Sequence, residues 1–207
     1  QGSRLGFDGP KGMFDIGLPS HKSLFQLQAE RLQNLAAQVG HAIPWCIMTS
    51  PLNHEATVNF FTEHNFFGYA RENIRFFEQG TICALDPNGK AVVDENNRLA
   101  LVPDGNGGCF RALAQSGTLA WLIEKGVRYV FLYSVDNALC RICDPAFVGA
   151  LASEGRSMSA SKVVHKAGPN EKVGIFALQN NKPGVVEYSD LPEQYRDMTN
   201  ADGSLTF

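Results

Sequence analysis

A continuous apolar run, Val127–Val135 (VRYVFLYSV), reads as a strand buried on both faces in the middle of a sheet, with Asp136 at its carboxyl end. A strand covered on both sides needs helices above and below it, and the rest of the chain alternates strands with helices. Apolar residues Leu24, Leu27, Leu32 and Leu35 predict an amphipathic helix over 24–39, capped by Ser20 or Ser23. Ile43–Thr49 (IPWCIMT) reads as a strand ended by Ser50-Pro51, followed by a helix over 54–64 and a strand over 74–79. Asp86-Pro87-Asn88-Gly89 marks the turn of a β-hairpin insertion. A helix over 110–125, capped by Gly126, precedes the apolar run. A helix near 145–152 and strands near 159–165, 173–178 and 185–188 complete the pattern. The expected fold is α/β: a Rossmann-like domain with a mainly parallel mixed sheet, flanking helices and a small hairpin insertion.

Composition narrows the classes. With 207 residues, 44% hydrophobic and 19% charged, the chain has the makings of one substantial domain or two small ones, and not of a disordered or collagen-like segment. A net charge of −3 lacks the basic excess of a nucleic-acid-binding surface. No run approaches the roughly 20 apolar residues that cross a bilayer, and no charged leader precedes a short apolar segment. Five cysteines in a chain of this size point to reduced thiols. The expectation is a soluble, cytoplasmic protein with no nucleic-acid or membrane partner. The chain opens on Gln1 without an initiator Met and closes on Phe207 as a strand begins, so an excerpt of a longer protein is expected.

Three constellations could carry chemistry, and ligands in open α/β sheets bind beyond the carboxyl ends of strands, where these should meet. Gln1-Gly2-Ser3-Arg4-Leu5-Gly6 with Pro10-Lys11-Gly12 lets backbone N–H groups approach phosphate oxygens while Arg4 and Lys11 add positive charge; a plain surface turn is the other reading. It matches neither the P-loop nor G-x-G-x-x-G. Pro103-Asp104-Gly105-Asn106-Gly107-Gly108 precedes a helix and allows close approach to a base or sugar, or is a tight connection only. In Ser134-Val135-Asp136-Asn137 a carboxylate at a strand end can hold Mg²⁺ on phosphates, or caps the next helix. Cys140-Arg141-Ile142-Cys143 has no second CxxC and no histidine pair at zinc spacing, so its cysteines read as core filler. The pairs Phe60-Phe61, Phe66-Phe67 and Phe76-Phe77 read as core.

Taken together, QGSRLGFDGPKGMFDIGLPSHKSLFQLQAERL, IPWCIMTS, FFEQG, PDGNGG and the VDN of SVDN resemble, in order and spacing, the eukaryotic-type UDP-N-acetylglucosamine pyrophosphorylases, a branch of the UDP-sugar pyrophosphorylases. The likeness runs over nearly the whole chain, 1–207, as one nucleotidyltransferase catalytic domain. The segment Leu-Ala-Gly-Gly that precedes Gln1 in the family, an Asn-rich segment after Phe207 and a farther lysine near the pyrophosphate are not in this sequence.

The resemblance implies a uridylyltransferase that makes UDP-N-acetylglucosamine and pyrophosphate from UTP and N-acetylglucosamine 1-phosphate. It implies that Gly2 and Ser3 cradle the UTP phosphates and that Arg4 and Lys11 neutralise charge at the transferring group. It places Gln79 and Gly105 on uracil, Asn106, Gly174 and Glu187 on the sugar, and Mg²⁺ on Asp136. Asn106, where glucose-type relatives carry a histidine-containing loop, points to an N-acetylhexosamine. A uridylyltransferase using another hexose 1-phosphate and a non-catalytic nucleotide-sugar-binding fragment stay open. A nicotinamide-dependent oxidoreductase would need the G-x-G-x-x-G fingerprint.

Overall fold

The computed structural model describes residues 6–155 and 159–206. They fall into two compact units, 1–150 and 151–207.

In the first unit, two strands form a parallel ladder: β1 (Trp45–Thr49) and β2 (Ile74–Glu78), in register from Trp45↔Ile74 to Thr49↔Glu78. Successive strand residues point to opposite faces, so this pair sorts its side chains into two cores. Trp45, Ile47, Ile74 and Phe76 join a cluster with Phe25, Ala29 and Leu32 of α1 (Leu24–Val39) and Phe61 of α2 (His54–Glu63). Cys46, Met48 and Phe77 join the other cluster, built on Ala112 and Leu113 of α3 (Gly108–Gln115) and Leu122 of α4 (Thr118–Glu124). Helices therefore cover both faces of the parallel pair, as the α/β reading expects.

Local chemistry explains these elements. The Ser23 hydroxyl accepts the Gln26 N–H at 3.2 Å and starts α1. The phenylalanine pairs pack as expected: Phe61, fully buried, meets the rings of Phe25, Trp45 and Phe76 at centroid distances of 4.8, 5.3 and 5.0 Å. The expected hairpin insertion is present as β3 (Thr81–Cys83) antiparallel to β4 (Leu101–Pro103). It has a tight turn where the Asp86 carboxylate accepts the N–H groups of Asn88 and Lys90, both at 2.9 Å.

Three expectations are corrected. The helix over 110–125 is two helices, because Gly117 takes a left-handed φ of 75° and breaks the ladder between α3 and α4. The run 127–135 forms no strand and enters no ladder among the described residues. Its burial alternates: Phe131, Tyr133 and Val135 pack on the first core while Val130 and Leu132 are each 54% exposed. A strand needs a neighbour to hydrogen-bond with, and apolar composition reports only the wish for burial. The segment 159–165 likewise forms no strand, and Val163 and Val164 are exposed.

α5 (Pro145–Glu154) crosses from one unit's residues into the other's. In the second unit, β5 (Ile175–Gln179) and β6 (Lys182–Val186) form an antiparallel hairpin. Asn180 and Asn181, with φ of 52° and 61°, make its two-residue turn. Two left-handed residues in succession suit the right-handed twist of a hairpin, and asparagine tolerates that conformation.

Phe61→Ala is expected to destabilise the first unit by about 3–5 kcal/mol through loss of transfer energy and a residual cavity, read as a fall in the urea midpoint.

Candidate active site

The pieces of the site are set by α1. Pro10-Lys11-Gly12 forms a short 3-10 turn (Lys11–Met13) against this helix, and Gly12 is buried there because any Cβ would strike the Phe25 ring. This close approach aims Lys11 at the far end of the run 127–135, where its ammonium donates to the Asp136 carboxylate in an ion pair. The Ser134 hydroxyl donates to the other Asp136 oxygen at 2.6 Å. Those two donors, Lys11 first, hold the Asp136 carboxyl below its ordinary value.

The loop that carries Asp136 is anchored by residues that sequence reasoning did not single out for the site. Gln28, nearly fully buried, donates its amide to the Val135 carbonyl at 2.9 Å. Arg31, also on α1, donates to the carbonyls of Ala138 at 2.6 Å and Cys140 at 3.4 Å. The only signal for Gln28 was a polar residue one position from the apolar stripe of a helix.

The carboxyl end of the parallel pair holds the next piece. The Gln79 N–H donates to the Thr49 carbonyl at 2.8 Å, which keeps Gln79 in line just past β2. An open recess of ≈400 Å³ lies alongside, lined in part by Glu78, Gly80 and His54. His54 Nδ1 sits 2.8 Å from the Thr49 hydroxyl and 3.7 Å from Glu78 Oε1.

Gly105 and Asn106 belong to the glycine loop entering α3, and that loop is fixed to the end of β2. The Asp104 N–H donates to the Gly80 carbonyl at 3.0 Å. The Asp104 carboxylate wedges between Gly80 and Gly108, where a Cβ at either position would collide with it. Its Oδ1 is buried and has no hydrogen-bond partner among the described residues. The structure thus brings Gln79 and Gly105 onto adjoining backbone, and joins Lys11 to Asp136. Gly2, Ser3 and Arg4 lie outside the described residues.

Within the second unit, Gly174 and Glu187 meet beside the hairpin: a Cβ on Gly174 would sit 2.8 Å from Val185 Cγ1 and 3.5 Å from Glu187 Oε1. The cysteines of the CxxC pair, Cys140 and Cys143, are half-buried and pack against the first core. Burial pushes the Cys143 thiol up to about 11, which makes it inert filler at neutral pH.

Helices on both faces of a parallel pair, with a glycine loop tied to the backbone just past its carboxyl end, make this a Rossmann-like nucleotidyltransferase fold. The chain belongs to the UTP–glucose-1-phosphate uridylyltransferase family, whose model matches residues 1–207. It is 44% identical over 209 residues to a UDP-N-acetylglucosamine pyrophosphorylase of Saccharomyces cerevisiae, covering 99% of this chain and 44% of the relative. It is 46% identical over 213 residues to UDP-N-acetylglucosamine diphosphorylase 1 of Arabidopsis thaliana, covering 97% of this chain and 42% of that one. A solved uridine diphosphate N-acetylglucosamine pyrophosphorylase of Trypanosoma brucei superimposes with a TM-score of 0.88 at 34% identity, over all of this chain and 43% of the other. The chain therefore spans less than half the length of these relatives. The resemblance read from the motifs is borne out.

Two outcomes follow. Because the Asp136 carboxyl is lowered on folding, its ion pair contributes fully above the ordinary carboxylate value of 3.8 and is lost as pH falls through the lower folded value. Asp136→Asn is expected to make acid unfolding, followed by circular dichroism, less steep below that pH. Arg31→Ala leaves the Ala138 carbonyl without its donor, and hydrogen exchange across 134–140 is expected to accelerate at least tenfold while α1 keeps its protection.

Proposed function

We propose that this protein is a uridylyltransferase that makes UDP-N-acetylglucosamine and pyrophosphate from UTP and N-acetylglucosamine 1-phosphate. The observation that carries the reading is the Lys11–Asp136 pair: a cation from the first glycine loop and a carboxylate from the turn after the run 127–135 converge, in a chain whose relatives bear that activity in their names.

The reaction is in-line attack by a sugar-phosphate oxygen on the α-phosphorus of UTP, with pyrophosphate leaving. Both reactants are anions, so the chain's work is to position them and to offset their repulsion. Lys11 places its ammonium on the transferring phosphoryl group, and Arg4 adds a second positive charge. Gly2 and Ser3 present backbone N–H groups to the UTP phosphates. Gln79 and Gly105 read the uracil edge, for which their adjoining backbones are suited. Asn106, Gly174 and Glu187 take the sugar, Glu187 accepting hydrogen bonds from its hydroxyls.

Asp136 is the residue that would hold Mg²⁺. Among the described residues no group of three histidine, cysteine or acidic side chains gathers into an all-protein cage. A single carboxylate flanked by a lysine fits Mg²⁺ in its other mode, shared with substrate phosphates and water. When bound, the ion supplies neutralising charge to the phosphate oxygens. No helix among the described residues is long and apolar enough to cross a membrane, and the reduced thiols support a cytoplasmic setting.

Pyrophosphate release by the full-length protein, assayed across sugar 1-phosphates, tests the reading. N-acetylglucosamine 1-phosphate is expected to be preferred over glucose and galactose 1-phosphate, and Lys11→Ala to lower turnover by on the order of a hundredfold or more. Binding of UDP-N-acetylglucosamine without turnover by the intact protein would sink it.

A further inference from the structure

We propose that a cleft at the amino-terminal end of β2 binds a small phosphate-bearing anion, apart from the candidate active site. Arg71, Glu72, Ile74, Arg75, Trp121 and Lys125 line an open cleft of ≈570 Å³. β2 starts at Ile74 and ends at Glu78, so the cleft lies at the opposite end of the strand from Gln79, roughly 16 Å away at the usual rise per strand residue.

The cleft concentrates positive charge in a chain whose net charge is −3. Its three cations face a single acidic residue, Glu72. Among the described residues none of the three lies in an ion pair. Neutral groups and rings hold them instead. Arg71 donates to the Ile74 carbonyl at 2.9 Å and stacks over Phe66 at 5.1 Å. Lys125 donates to Asn73 Oδ1 at 2.9 Å. The Arg75 guanidinium and the Lys125 ammonium each lie 5.1 Å from the centre of the Trp121 ring.

Two like charges drawn to one indole repel each other, and an anion between them turns that repulsion into attraction. Packing of Trp121 on the second core calls for no cation at all. The C-terminus of α4 accounts for a lysine at 125, but not for the arginines contributed by a different part of the chain. Two planar guanidinium forks and an ammonium are the donors that suit a phosphoryl group, which offers several oxygens and up to two negative charges. The volume exceeds what one phosphate fills, so the class that fits is a phosphomonoester with a small organic body. This inference does not rest on the proposed reaction.

The test titrates inorganic phosphate and, separately, glycerol 2-phosphate into the full-length protein at fixed ionic strength, reading tryptophan fluorescence. A saturable change is expected that is absent from Trp121→Phe and unaltered in Lys11→Ala. The double variant R75Q/K125Q is expected to weaken binding at least tenfold with an unchanged urea midpoint, while Arg75→Lys stays within threefold. Tighter binding of glycerol 2-phosphate than of phosphate assigns the site to an organic phosphomonoester; the reverse order overturns that class. Equal affinity in R75Q/K125Q, loss of the signal in Lys11→Ala, or the same change with sodium chloride alone overturns the site.

Discussion

Lys11 and Asp136 are 125 positions apart in the chain, and their ion pair is what makes a site out of two loops. Each side chain keeps about a third of its exposure, 29% and 37%, so the pair by itself is too well solvated to hold the loops in place. The packing beneath it does that. Phe25, Ala29 and Leu32 sink one face of α1 into the core, and the neighbouring surface of the same helix meets both partners. Gly12 lies flat on Phe25, and Gln28 and Arg31 hold the carbonyls on either side of Asp136. A buried stripe thus fixes the helix, and the helix fixes the charges.

The parallel pair divides the first unit into two faces and also into two ends. Past the carboxyl end, the Asp104 carboxylate packs against glycines, and the backbone of the glycine loop is tied to that of β2. At the amino-terminal end, arginines and a lysine cluster on aromatic rings. Alternation along β2 explains the second arrangement: Arg75 lies between the buried Ile74 and the half-buried Phe76 and shares a face with Phe77, toward α4. Trp121 on that helix is where its guanidinium finds a partner.

Much of the local structure was legible. The cap at Ser23, the spacing of leucines through α1, the short apolar strands and the turn at Asp86 are signals carried within a few residues, and their elements formed where expected. The break at Gly117 was visible as a glycine in a helical stretch, but whether a glycine bends or is tolerated depends on what the helix packs against. Val127–Val135 marks the limit: its composition asks for burial, while a strand requires a ladder of backbone partners that lies elsewhere in the chain. At the candidate site, Lys11, Gly105 and Asp136 came from motif chemistry, and Gln79 from the resemblance to the family. Gln28 and Arg31 did not, because a polar residue on a helix looks the same whether it faces water or a carbonyl 107 positions away.

What the sequence by itself determined is the class of fold, the position of α1, α2 and the parallel strands, and the identity of the chemical groups, since propensity, periodicity and turn chemistry act between near neighbours. Only the tertiary structure decided which of those groups meet: Lys11 with Asp136, Asp104 with Gly80, Arg75 and Lys125 with Trp121. Those meetings depend on close packing among side chains distant in the chain, where the fit of a ring against a glycine or of a donor against one carbonyl is settled by the whole fold at once.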